Sequence, residues 1–313
     1  MTGPGIVDAH HHLWDLAVRD QEWITGEALA PIHRDFSLAD LHLPASRAGV
    51  TATVLVQTVC LPQETPEMLA LAASDDLVAG VIGWTDLTDR GIADTIARLR
   101  ELPGGRKLVG LRHQVQSEPD PEWLLRPDVL RGLATVAASG LAYDLLVLPH
   151  QLPAATEVAT RLPELSLVLD HLAKPPAATG ETEPWATAVR ALASRPNTFC
   201  KLSGLVTEAD WQHWTLTDLR PYSDTVLAAF GPERLMFGSD WPVCTLAASY
   251  QEVVDTARAL TAGLSTAEQH AVFAGTAAVA YGPALAARPT GSDPRPPPKS
   301  ARARRTQCRD ECI

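Results

Sequence analysis

Basic charge, aromatic rings, cysteine and long apolar runs are all scarce in this sequence, and each scarcity removes a class of protein. Lys and Arg number 26 against 37 Asp and Glu, a formal net charge of -11. Such a surface repels nucleic acid and anionic membrane, so neither is expected as a partner. No apolar stretch is long enough to span a bilayer. The opening Met1-Thr2-Gly3-Pro4 lacks the basic region and following apolar run of a secretory signal. The five cysteines, Cys60, Cys200, Cys244, Cys308 and Cys312, include no C-x-x-C pair. That argues against a disulfide framework and against a structural zinc knuckle, and it makes a reducing, cytoplasmic compartment the expected one. No G-x-G-x-x-G follows the first strand-like segment and there is no P-loop, which weighs against an open, doubly wound nucleotide-binding sheet.

What is present is apolar material in a repeating order. Hydrophobic residues make up 46% of the 313, enough for a large core. Eight short segments are rich in apolar and β-branched residues: 5–12, 51–58, 78–84, 107–113, 142–148, 166–171, 198–203 and 234–240. Most are apolar almost without interruption, as strands covered on both faces must be. Between them run stretches with helical spacing, including 91–102, 128–139, 154–162, 185–194, 223–230 and 250–260. Gly104-Gly105, Gly140 and Gly231-Pro232 supply stop signals. Eight strand–helix alternations predict a (β/α)8 TIM barrel of the α/β class over residues 1–282. Residues 33–46 read as an inserted rim loop. The remainder, 283–313, is rich in proline and arginine, with seven Lys and Arg against three Asp and Glu, and is expected to be a disordered tail.

Barrel enzymes keep their chemistry at the C-terminal ends of the strands, and titratable residues gather there. Side chains alternate along a strand, so His10 and His12 point into the barrel together while His11 points out. Two imidazoles at the barrel mouth can reach one metal ion or one substrate. Asp240 follows the apolar run Leu235-Met236-Phe237; a catalytic carboxylate is one reading, a helix N-cap the other. His171 ends the sixth segment, and Arg112 and His113 end the fourth. Lys201 lies inside an otherwise apolar strand, and a buried lysine demands a partner, so it is expected to face the mouth and a carboxylate or ligand. Trp14, Trp84 and Trp241 sit just past strand ends, where flat rings suit stacking on a sugar face or packing under rim loops. Cationic, basic and acidic groups at matching ends of several strands argue for an enzyme acting on a small molecule.

Five motifs occur in order: D-A-H-H-H-L-W-D at 8–15, G-L-R-H-Q-V-Q-S-E-P-D at 110–120, L-D-H-L-A-K-P at 169–175, C-K-L-S-G-L at 200–205 and R-L-M-F-G-S-D-W-P at 234–242. On these the chain resembles the amidohydrolase superfamily, in its amidohydrolase-2 branch, which holds the L-fuconolactonase-like sugar lactonases. The resemblance implies a distorted barrel whose His10 and His12 bind a metal when one is present, with His171 and Asp240 as further candidate ligands. It implies that Asp240 is the catalytic acid and base, with His171 beside the metal or the substrate carbonyl. Arg112, His113 and Lys201 are then candidate holders of substrate, and the tryptophans candidate stacking surfaces.

The chain departs from the binuclear pattern. The end of the fourth segment offers Arg112, His113 and Gln114 rather than a bridging lysine, and His150 lies beyond Pro149 instead of at a strand end. Two metals are therefore not expected. One divalent ion, zinc first among them, fits the resemblance, and metal-free opening of a lactone, an activated electrophile, stays open. The implied reaction is hydrolysis of a sugar lactone such as an L-fucono- or L-rhamnono-lactone. Amide hydrolysis, metal-assisted decarboxylation of a carboxylic acid and a catalytically silent binding barrel are the rivals.

Overall fold

Apolar strands need cover on both faces, and the chain provides it by returning a helix after each one. The computed structural model describes residues 5–286. Its eight strands are β1 (Ile6–His11), β2 (Val50–Val56), β3 (Val78–Gly83), β4 (Leu108–His113), β5 (Ala142–Leu145), β6 (Leu167–Leu169), β7 (Thr198–Leu202) and β8 (Leu235–Phe237). They lie side by side in sequence order, every neighbouring pair parallel. The outer layer holds α1 (Leu38–Ala48), α2 (Glu64–Ser74), α3 (Ile92–Glu101), α4 (Pro127–Ala138), α5 (Leu152–Arg161), α6 (Trp185–Ala193), α7 (Leu216–Phe230) and α8 (Tyr250–Leu260). The expected TIM barrel is what the chain forms.

The seam between β8 and β1 closes at the C-terminal rim rather than along the strands. The Asp240 N–H donates to the His10 carbonyl at 2.8 Å and the His12 N–H to the Trp241 carbonyl at 2.7 Å. Below them Asp8 clamps the seam. Its carboxylate accepts from the Ser239 N–H at 2.8 Å, the Ser239 hydroxyl at 2.6 Å and the Tyr250 hydroxyl of α8 at 2.8 Å.

The pairing of β1 with β2 shifts register between Asp8 and His11. Val7 and Ala9 lie in the inner cluster with Val54 and Val56, while Asp8 turns toward α8. Strict alternation back from His10 would have aimed Asp8 inward. An irregularity of this kind re-aims side chains, and here it frees the imidazoles for the mouth and Asp8 for the seam.

The opposite end of the barrel is sealed by the chain's return. After α9 (Thr266–His270) comes a π-helical turn, Ala271–Gly275, then α10 (Thr276–Tyr281). Ala277, Ala280 and Leu285 pack against the inner residues Val7, Val54 and Val109.

One expectation changes. Residues 33–46 are not an inserted loop: from Leu38 they form α1, the barrel's first helix. Ser37 and Asp40 make a capping box and Gly49 ends the helix at φ 82, signals that outweigh the penalty of Pro44 within it. The inserted rim is instead the stretch 12–37, with a 3-10 turn at Glu27–Ile32. A short turn, Pro283–Leu285, follows α10, and its Leu285 is buried under the barrel. The rest of the expected tail lies outside the described residues. Among those described, no helix is long and apolar enough to cross a membrane.

Candidate active site

The groups at the ends of β1, β6 and β8 converge. The Nε2 atoms of His10 and His12 are 3.1 Å apart. Asp240 Oδ1 lies 3.5 Å from His12 Nε2, 3.8 Å from His10 Nε2 and 3.8 Å from His171 Nε2. The Asp240 carboxylate faces three imidazoles, so the N-cap reading falls away. His12 donates from Nδ1 to the Val56 carbonyl at 2.8 Å, which leaves Nε2 with a free lone pair toward the cluster. His11 turns the other way, as its parity required, and bonds Thr53 Oγ1 at 3.0 Å behind the strand.

The backbone is bent to achieve this. Among the described residues, non-glycine positions with left-handed φ are confined to the site: Asp240 at 57, and His171, Leu172, Ala173 and Lys174 in succession at 50, 55, 59 and 51. Strain of this sort persists only where surrounding contacts enforce it. Here the Nδ1 of His171 is held by Ser203 Oγ at 2.9 Å, and Gly204 leaves the room: a Cβ there would come within 2.6 Å of the same ring nitrogen. Gly238 does likewise for His10, whose Cβ would lie 2.8 Å from an added methyl.

Under the imidazoles sits a layer of buried charge. Lys201 Nζ reaches Asp144 Oδ2 at 2.5 Å, Asp170 Oδ1 at 2.9 Å and His10 Nδ1 at 3.1 Å, three partners for three protons. Arg112 Nη1 donates to Asp170 Oδ2 at 2.9 Å and stands 3.4 Å from His10 Nε2; its Nη2 donates to the Gln57 carbonyl. The carboxylate expected for Lys201 is found twice over, but the lysine does not reach the mouth. It is fully buried one layer below His10, where two carboxylates meet the demands of its charge.

Burial and neighbours set the protonation states. Burial alone would raise Asp240, yet His171, His12 and Lys174 together draw it below its ordinary 3.8. Burial lowers His171 to about 4 and holds His10 well below 6.5, with Lys201 adding to the effect on His10. Burial likewise pushes Asp144 up to about 6 against the pull of Lys201. At Asp170 burial is outweighed by Lys201, His10 and Arg112, and the carboxyl is held well below 3.8. At neutral pH the Asp240 carboxylate therefore stands beside the neutral imidazoles of His10 and His171.

Around the rim the expected residues divide. His113 donates from Nε2 to Glu118 at 2.7 Å, accepts the Trp84 indole N–H on Nδ1 at 3.0 Å and stacks on Trp123 at 4.3 Å. Trp14 and Trp241 are spent on packing: Trp14 meets Trp23 at 5.6 Å and Phe36 at 5.3 Å, Phe36 meets Trp241 at 5.3 Å, and both tryptophans are 5% exposed. Their faces are covered, because the rim stretch 12–37 folds its own apolar residues onto them. His150 is exposed in the turn Pro149–Gln151 and takes no part. Asp8, Asp144, Asp170 and Ser203 went unremarked in the sequence. An aspartate inside an apolar strand, as in Tyr143-Asp144-Leu145, was the available signal for a partner to Lys201.

Among the described residues, two sets of donors are close enough to hold a metal ion: His10, His12 and Asp240, and His10, Asp170 and His171. The first has the spacing: its donor atoms stand 3.1 to 3.8 Å apart, as ligands about 2.0–2.2 Å from one ion would, and an ion there would replace the proton that the Lys201 bond to Nδ1 places on His10 Nε2. In the second, Asp170 Oδ1 and His10 Nδ1 already face the Lys201 ammonium, a cation that a metal would have to displace. A separate groove of about 690 Å3, lined by Trp14, Val18, Phe36, Met68 and Leu71 among others, opens between the rim stretch and α2 and contains none of these ligands.

Residues 7–282 match the model of a family described as Amidohydrolase. An L-fucono-1,5-lactonase of Burkholderia multivorans is 41% identical over 286 residues, 88% of this chain and 95% of that protein. One of Burkholderia ambifaria is 41% identical over 244 residues, 78% of this chain and 82% of its own length. A crystal structure of an amidohydrolase from Burkholderia multivorans with bound zinc superimposes with a TM-score of 0.83 at 39% identity, covering 88% of this chain and 99% of that one.

Proposed function

The chain belongs to the amidohydrolase family, and from that premise we propose that it hydrolyses a sugar lactone, an L-fucono-1,5-lactone or a close relative, with Asp240 as general base and acid. The observation that carries the reading is the convergence of Asp240 with three imidazole nitrogens, 3.5 to 3.8 Å away, at the barrel mouth. The curated relatives' names supply the substrate class.

Asp240, ionised, takes a proton from water as the water attacks the ring carbonyl. The carbonyl oxygen gains charge, and an N–H of His171 with the positive field of Arg112 stabilises it. One such donor is worth about 10²–10³ in rate. Asp240 then returns its proton to the departing ring oxygen, leaving the open-chain acid. His113, fixed by Glu118 and Trp84, is placed to meet sugar hydroxyls at the rim. Lys201 acts from below, by holding His10 and Asp170. A divalent ion on His10, His12 and Asp240 would polarise the carbonyl and lower the pKa of its water toward about 7.

The test is acid release, followed by pH-stat, from a panel of aldono-lactones alongside amides and aryl carboxylates. Turnover of 6-deoxy-L-aldonolactones with the others untouched supports the proposal, and turnover confined to an amide or a decarboxylation defeats it. Assay after chelation, with metal content measured, tests the ion.

The acid limb adds a prediction. A base loses function as pH falls through its pKa, and Asp240 lies below 3.8 while His171 lies at about 4. The kcat/KM profile should therefore be flat from neutral pH down to about 5 and fall below that. An inflection near 6.5 in the metal-free protein would assign the base to an ordinary histidine instead, since the water of a bound ion also titrates near about 7.

A further inference from the structure

The buried charge layer has a lower end that the chemistry above does not use. Tyr281, the last residue of α10, enters the barrel from its sealed base. Its hydroxyl lies 2.8 Å from Asp144 Oδ1 and 3.0 Å from Oδ2, and the Lys201 ammonium sits 5.6 Å from the centre of its ring. From there a continuous hydrogen-bonded chain runs upward. Asp144 accepts from Lys201, and Lys201 donates to His10 Nδ1 while its charge pairs with Asp170 Oδ1 at 2.9 Å. The helix that delivers Tyr281 is preceded by the π-helical turn Ala271–Gly275, an irregularity that resets the direction of the residues after it and recurs at functional sites.

The Lys201 ammonium has three close partners, and the reach to His10 at 3.1 Å is the longest of the three. Asp144 is fully buried, with the Tyr281 hydroxyl and Lys201 as its hydrogen-bond donors. Without the phenol, both oxygens of Asp144 turn to the same ammonium and draw it down, away from His10. We propose that Tyr281 is a positioning residue for the active site: through Asp144 it keeps Lys201 against His10 Nδ1, and so orients the imidazole facing Asp240 some three side chains away. Its phenol is buried beside Asp144, and burial first, then that carboxylate, hold it protonated, so it is a permanent donor. The kinetic part of this inference rests on the lactonase reading; the positioning of His10 does not.

The test is Tyr281→Phe, which removes one hydroxyl and keeps the plug. Loss of a group that orients an active-site histidine typically costs about 10- to 100-fold. The expected result is a kcat lowered by about 10-fold with KM within about twofold of wild type. The His10 ring nitrogen resonances, assigned by loss of signal in His10→Gln, should shift in a 15N spectrum. Phe273→Leu is the control: it loosens the same base, where Phe273 lies 5.5 Å from Phe237, without touching the chain of hydrogen bonds. It should lower the melting temperature while leaving kcat and the His10 signals unchanged. Unmoved His10 signals in Tyr281→Phe overturn the proposal whatever happens to kcat, and so does an equal shift in Phe273→Leu. If the wild type opens no lactone, the functional reading fails and the spectra alone decide this one. Should Tyr281→Phe not fold, Asp144→Asn cuts the same link and is read the same way.

Discussion

Asp240→Asn should lower kcat by about 10²–10⁴-fold, the usual worth of a positioned general acid–base, while the protein folds and melts nearly as before. The substitution isolates charge from shape. Asn has the outline of Asp, and of the common residues it is among those that best tolerate the left-handed backbone at φ 57. Asp240→Ala would confound lost chemistry with backbone strain. The amide can still bond a histidine, but it cannot take a proton from water. KM should move little, because the carboxylate acts in the transition state more than in binding. Circular dichroism and melting establish the fold, and initial rates on the best lactone give the ratio. A variant that keeps more than about a tenth of wild-type kcat removes Asp240 from the role.

Lys201→Met should cost more in stability than any surface change. It leaves Asp144 and Asp170 buried, with only Arg112 to offset two carboxylates. Breaking a buried pair in this way is worth about 3–5 kcal/mol, a large part of the stability of an ordinary domain. In melting temperature that is a fall on the order of 10 °C. Lys201→Met with Asp144→Leu should recover a good part of the loss, because the second change removes the orphaned carboxylate rather than leaving it. Chemical denaturation of the single and double variants measures both. If the single variant unfolds within about 1 kcal/mol of wild type, the ammonium is not what offsets those charges.

The features legible from the sequence were those written in local pattern. Strand-like runs and their turn signals located all eight strands, and the parity of His10 and His12 told which face they share. His171 and Asp240 stood at the ends of apolar runs, where barrel chemistry is kept. What escaped depends on contacts between distant residues. Lys201 meets Asp144 across 57 positions, a pairing set by strand order and by the height of each residue in the barrel. The register shift in β1, which turns Asp8 away from its neighbours' face, has no glycine or proline to mark it. The first helix was masked by Pro44 within it. The strands β6 and β8 keep only three residues each, because the backbone leaves the ladder to place His171 and Asp240. Trp14 and Trp241 offered the same letters for stacking on a sugar as for packing, and only the folded rim decided between them.

The sealed base also bears on the order in which the molecule can be made. Tyr281 follows every strand in the chain, so a nascent polypeptide that has already emerged with all eight of them still lacks the phenol that completes the polar layer. Until that last turn arrives, Asp144 is short a donor and the barrel's underside is open to water. The step that dries the interior therefore comes only after all eight strands have been made.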